Sequence, residues 1–279
     1  MVMSFNPTRF SVCLRIASLI ALAAFAASCG GGSSTSSGGS SASAAVSTAP
    51  PSGNWQIALT PSTGTNTESL AGFLLDDSDG AVNGSFVVVD SPCTDVGSVS
   101  GTVSGSNISL QVAPVGLQLE MSGTMGSGNS TMSGTYTILS DGCSAKHSSP
   151  QTGTWTGTMV TPINGSVNGT LNSTTLANNF TLQGQLAQGT NSGSSIASLT
   201  GSLSVSTAGY CFSEGLTVNG SVSGTAVVMN LSDSTGAQQG QITGTISTDG
   251  TTFSGKYNIM KQPEKPCKSG DHGVITFTL

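Results

Sequence analysis

The sequence predicts an all-β protein built from two tandem, duplicated modules of about eight antiparallel strands each. Three observations lead there. Thr243–Ile259, TGTISTDGTTFSGKYNI, repeats Ser122–Ile138, SGTMGSGNSTMSGTYTI, with seven of seventeen positions identical. The apolar places are kept even where the residue differs, as at Met125/Ile246 and Met132/Phe253. Strand-length segments alternate apolar and polar residues, which is the period of a half-buried strand. The composition, with 38 glycines and only 7% charged residues, fits short strands joined by turns, and no convincing helix follows the first 28 residues.

Taken in order, strands are expected near Trp55–Leu59, Leu70–Leu75, Gly84–Val89 and Ser98–Ser104, then Ile108–Val112, Leu117–Met125, Met132–Leu139 and Gly153–Val160. Thr161–Gly165 marks the boundary between modules 54–161 and 162–279. The second module offers Ser166–Leu171, Phe180–Leu186, Leu199–Ser206 and Leu216–Gly224, followed by Val227–Leu231, Gln241–Ser247, Phe253–Met260 and Val274–Leu279. Asp249-Gly250 supplies a tight turn in the repeated hairpin. Gly101–Gly105 matches Gly220–Gly224, and the offset between modules grows from 117 at Gly84/Gly201 to 124 at Cys143/Cys267. Length differences therefore sit in loops, where they cost least.

Gly101, Gly123, Gly134, Gly220, Gly244 and Gly255 share the pleat parity of their apolar neighbours. Inward glycines allow close approach and sharp curvature, the means by which small sheets close. The pattern favours an up-and-down eight-stranded barrel per module, with a two-sheet sandwich as the alternative. A barrel of that size is filled by side chains or holds one small ligand. Gly53-Asn54-Trp55 resembles the Gly-x-Trp of lipocalins, and the strand count is similar to lipocalin and avidin-type barrels. The resemblance implies topology only, and no binding residue follows from it.

The amino-terminal stretch is similar to an export signal. Arg9 and Arg15 precede a twelve-residue apolar run, Ile16–Ala27. That run is shorter than the roughly 20 residues a membrane-spanning helix needs. Ala26-Ala27-Ser28-Cys29 resembles the lipobox of bacterial lipoproteins, with alanine at a place where leucine is usual. The resemblance implies cleavage after residue 28, lipidation of Cys29 and, because Gly30 follows rather than aspartate, an outer-membrane location. Acyl chains at about 0.8 kcal/mol per buried CH₂ would hold the chain on the membrane. Residues 30–53, rich in Gly, Ser, Ala and Thr, form a flexible tether.

After removal of 1–28 the chain carries five basic and thirteen acidic residues, a net charge of −8. No basic patch of the kind nucleic acid selects is present, so no nucleic-acid partner is expected. Cys13 leaves with the signal and Cys29 goes to lipid, leaving Cys93, Cys143, Cys211 and Cys267. An even number in an exported chain reads as disulfides. Of the three possible pairings the duplication selects Cys93–Cys143 and Cys211–Cys267, because Cys93 aligns with Cys211 and Cys143 with Cys267. Each such loop contributes roughly 4 kcal/mol in the chain-entropy account.

Several residue groups invite chemistry. His147 and His272 follow the second cysteine of each module, beside Lys146 and Lys268, and read as loop residues inherited by duplication. Asp76-Asp77-Ser78-Asp79-Gly80 could begin a calcium loop but lacks the downstream glutamate, and Asp/Gly clusters are ordinary turn material. Lys261–Lys268 holds lysines that could meet an acidic partner such as a sulfated or uronic polysaccharide. Neither a GxSxG elbow nor a carboxylate pair beside aromatic platforms occurs. No catalytic residue, metal ligand or cofactor is therefore assigned, and a non-enzyme is expected. The expectation is a membrane-anchored binding module for a small ligand or a glycan, with a structural or adhesive surface spacer as the alternative.

Overall fold

The computed structural model describes residues 51–64, 67–77, 79–89, 96–113, 117–141, 151–191, 193–206, 215–261 and 268–279. Sixteen strands and no helix make up the described part. The first eight are β1 (Gly53–Pro61), β2 (Glu68–Asp76), β3 (Ala81–Val89), β4 (Val96–Ser104), β5 (Asn107–Ala113), β6 (Leu117–Met125), β7 (Thr131–Asp141) and β8 (Gln151–Val160). They close into one barrel by antiparallel pairing of sequence neighbours, with β8 returning to β1. The next eight are β9 (Asn164–Ser173), β10 (Asn178–Gln188), β11 (Ala197–Val205), β12 (Leu216–Ser223), β13 (Ala226–Ser232), β14 (Gln238–Ile246), β15 (Thr252–Ile259) and β16 (Asp271–Thr278). They close likewise, with β16 pairing β9. Barrels, not sandwiches, are formed, and the two are duplicates strand for strand.

Alternation explains the interiors. In β5 every second residue is buried (Ile108, Leu110, Val112), and β13 repeats this with Val227, Met229 and Leu231. The inward glycines let the strands curl. Gly123 faces Gly134 across β6–β7, and Gly244 faces Gly255 across β14–β15. A Cβ on Gly123 would lie 2.1 Å from the Ser133 carbonyl, and one on Gly244 would lie 2.3 Å from the Ser254 carbonyl. An aromatic ring occupies the space each pair leaves. Trp155 covers Gly123 and donates its indole N–H to the carbonyls of Ser122 (3.2 Å) and Thr135 (3.1 Å). Phe253 covers Gly244 and stacks on Phe277 with centroids 4.6 Å apart.

The turn at Asp249-Gly250 is longer than a two-residue hairpin loop. Ile246 and Phe253 are the last paired residues, and the Gly250 amide bonds the Ser247 carbonyl. Gly250 alone takes a positive φ, +75°, because it follows the turn rather than forming its centre. Asp249 instead accepts from the Thr251 amide and the hydroxyls of Ser247 and Thr251.

The two barrels belong to one compact unit and touch directly. The chain crosses from one to the other through packed residues: Val160 and Ile163 are both buried in the core of the second barrel. The Thr161 amide bonds the Thr248 carbonyl, and the Gln188 amide bonds that of Ile163. On β1, the Asn54 side chain, 2% exposed, holds the backbone of Gly224 at the tip of the β12–β13 hairpin. Gln56 accepts from the Thr225 amide and hydroxyl beside it. Strand β2 shows the matching signature. Its outward residues Ala71 and Phe73 are buried, although neither belongs to the barrel core.

Candidate functional site

In both barrels the interior, which a ligand-carrying barrel would leave hollow, is packed with side chains. Trp55, Trp155, Phe86 and Met121 are essentially unexposed members of a single contiguous core in the first barrel. Phe253, Phe277, Met229 and Leu203 do the same in the second. Among the described residues a polar pair is buried beside this core: Asp271, 2% exposed, accepts hydrogen bonds from the Tyr257 hydroxyl (2.8 Å) and from the hydroxyl of Ser173 (2.6 Å), itself buried. Ser173 accepts in turn from the Leu176 amide. In the first barrel Tyr136 stands where Tyr257 does in the second, and burial, reinforced by the Glu68 carboxylate, pushes its phenol above the ordinary value of 10.0.

The polar side chains lie for the most part on the outside. Outward positions are filled by Ser, Thr, Asn and Gln, and pairing sets them in rows across the strands. One row of the second barrel runs Asn219–Asn230–Gln241–Asn258–His272, each directly opposite the next. Gln241 donates its side-chain N–H to the side-chain amide oxygen Oδ1 of Asn230 at 3.0 Å. The neighbouring row contains Thr243, Lys256 and Val274. Two open grooves flank these residues. One, of about 730 Å³, is lined by Gln241, Lys256, Asn258, Met260, His272 and Val274 among others. The second, of about 610 Å³, is lined by Asn219, Ser221, Asn230 and Ser232 among others. Gln238 borders both grooves.

The residues singled out in the sequence fall unevenly. His272 is exposed on β16, its ring Nδ1 3.1 Å from the Thr175 hydroxyl, and it lines the larger groove. Asp77 accepts from the amides of Asp79 and Ala81 and so serves the β2–β3 turn. Asp76 instead accepts from the Ser52 hydroxyl and ties the end of β2 to the residue before β1. Among the described residues no group of three acidic, histidine or cysteine side chains is placed to hold a metal ion. Asp233 and Asp249 are held below the usual carboxylate range by hydroxyl and amide donors in their own turns, Thr235 foremost for Asp233 and Ser247 for Asp249. Ser78, Cys29, Cys93, Cys143, Lys146, His147, Cys211, Glu264, Lys265 and Cys267 lie outside the described residues. In each up-and-down barrel the two cysteine-bearing connections, β3–β4 with β7–β8 and β11–β12 with β15–β16, leave from the same end.

The amide row escapes sequence reasoning because it depends on register. Its members stand far apart in the chain, and only the outward parity of each was readable. Comparison with known protein families and with curated proteins finds no match to this chain.

Proposed function

We propose that this chain is an exported lipoprotein anchored through Cys29 in the outer membrane, whose folded part is a non-enzymatic binding module for a glycan. One observation carries the choice of exterior over lumen: both barrels are filled with apolar side chains while hydroxyl and amide groups cover the outside. That polarity is the inverse of a membrane-spanning barrel, which needs an apolar outer band. The anchor and tether rest on the Ala26–Cys29 motif and the composition of residues 30–50. Pro51, Ser52 and Gly53, expected as the end of the tether, belong to the fold, since Pro51 accepts from the Trp55 indole, Ser52 holds Asp76 and Gly53 opens β1. Disulfides Cys93–Cys143 and Cys211–Cys267 complete the reading, and each would tie two loops at one barrel end.

Two measurements test it. Metabolic labelling with an alkyne fatty acid is expected to mark the wild-type chain, and Cys29→Ser is expected to abolish the label and release the protein from membranes. Retained membrane attachment in that variant would overturn the anchor. An array of polysaccharides probed with the mature protein is expected to give saturable retention. Failure across the array would favour the spacer reading, which is supported by the packed linker and the Asn54–Gly224 contact.

A further inference from the structure

We infer that the outer face of the second barrel across β12–β16 is a binding site for an extended acidic glycan, such as a chain bearing uronate carboxylates. This rests on the exterior-binding reading above and adds a location and a ligand class.

The amide row supplies the first part of the chemistry. Adjacent strands lie about 4.7–4.9 Å apart, so the row is an evenly spaced ladder rather than a cluster. Each Asn or Gln side chain offers an acceptor oxygen and two donor hydrogens. Such a ladder matches a polymer whose hydroxyls both donate and accept along its length. Val274 and Met260, 46% and 48% exposed, add apolar surface in the same groove, suited to the C–H face of a sugar ring.

Charge supplies the second part. Lys256 and His272 line the larger groove, and among the described residues no carboxylate lines either groove. The second module carries four lysines against five carboxylates, whereas the first has one lysine against eight. An acidic chain thus meets Lys256 and a less negative module on this barrel than on the first.

Duplication supplies an internal comparison. The matching row of the first barrel reads Ser100–Gln111–Glu120–Thr137–Thr152, again each opposite the next. Glu120 stands where the second barrel has Gln241, and Gln111 donates to it at 3.4 Å. Threonines 135 and 154 replace Lys256 and Val274. The same scaffold therefore carries a carboxylate and no cation in one copy, and amides with a cation in the other.

The test is an amide-resolved NMR titration of the mature full chain with a galacturonate oligosaccharide, set against a neutral gluco-oligosaccharide. Saturable shifts centred on Gln241, Asn258 and Lys256 are expected, weaker for the neutral sugar and reduced by added salt as screening requires. Lys256→Glu and Gln241→Glu, the latter importing the first barrel's residue, are each expected to weaken binding about ten-fold or more, a loss that corresponds to about 1.4 kcal/mol. Both positions are solvent-facing, and unchanged melting curves would show that the fold is retained. Unaltered affinity in both variants, or shifts centred on the first barrel, would overturn the site while leaving exterior glycan binding in place. Binding of the neutral sugar alone would overturn the ligand class. Failure of every polysaccharide, in this titration and on the array, would remove the binding reading itself.

Discussion

The side-chain amide of Asn54 makes a two-point hydrogen bond to the backbone of Gly224, donating to its carbonyl and accepting from its amide, both at 2.8 Å. Only an amide does both at once. Gly224 has φ +54° at the first central position of a two-residue hairpin turn, the place that asks for glycine. A Cβ there would also lie 2.7 Å from the Ala71 Cβ. The homologous hairpin tip, Gly105 with φ +59°, has open space around it. One duplicated turn has become a wedge between the barrels and its twin has not.

Asn54→Asp removes the donor and sets a charge against the Gly224 carbonyl. The variant is expected to lose about 1–3 kcal/mol of stability in denaturant titration. It is also expected to loosen the two barrels relative to each other, read as separate rotational diffusion in NMR relaxation. Identical relaxation and stability would show that the contact contributes nothing.

Gly123→Ala and Gly244→Ala force a methyl against a neighbouring carbonyl at 2.1 and 2.3 Å. Each is expected to cost at least about 1–3 kcal/mol, the range for an overpacked core. Gly128→Ser, in the β6–β7 loop with nothing within 4 Å of its Cβ position but a φ of +82°, is the control for backbone strain alone. Thermal melts that rank the core glycines as no worse than Gly128 would remove close approach as the reason for them.

Trp155→Phe keeps a ring over Gly123 but loses the N–H that the Ser122 and Thr135 carbonyls share. A loss of about 1–3 kcal/mol is expected. Tyr257→Phe is expected to cost a similar amount, because the Asp271 carboxylate gives up a buried donor. Chemical denaturation of each variant reads both.

Tyr136 sets a limit at alkaline pH. Its folded pKa lies above that of the unfolded chain, so its contribution is fully present below about pH 10 and is lost as pH rises through the folded value. Tyr136→Phe is expected to flatten that part of the alkaline fall in melting temperature. At the acid end Asp233 and Asp249 act with the opposite sign. Their depressed pKa values give a contribution present above the ordinary carboxylate range and lost on acidification through the folded values.

Non-reducing peptide maps of the exported protein are expected to give Cys93–Cys143 and Cys211–Cys267. Any bridge from Cys93 or Cys143 to Cys211 or Cys267 would contradict one closure per barrel.

Strand number, closure and duplication were legible because each depends on local pattern: period-two alternation, inward glycines and a hairpin seen twice. The expected strands agree with the observed ones to within about three residues at their ends. The contact between barrels was written less plainly, in Leu70-Ala71-Gly72-Phe73-Leu74-Leu75, where apolar residues occupy both parities. A strand buried on one face only does not need Phe73 facing out, so the run marks a covered outer surface. What covers it could not be read, since Gly224 lies 170 positions from Asn54. The groove residues were illegible for the same reason. Register decides that Asn219 ends up in line with Asn258, and side-chain identity along one strand does not contain that information.

Closure of both sheets bears on how densely such molecules can be stored. Every one of the sixteen strands is hydrogen-bonded on both sides, so neither barrel presents a row of unpaired backbone groups to a neighbour. Open sheet edges are where β proteins recruit one another into aggregates, and charged gatekeepers normally guard them. With only 7% charged residues this chain has few such guards to place. Closure protects in their place: when copies crowd side by side, the sixteen described strands offer backbone pairing nowhere to start.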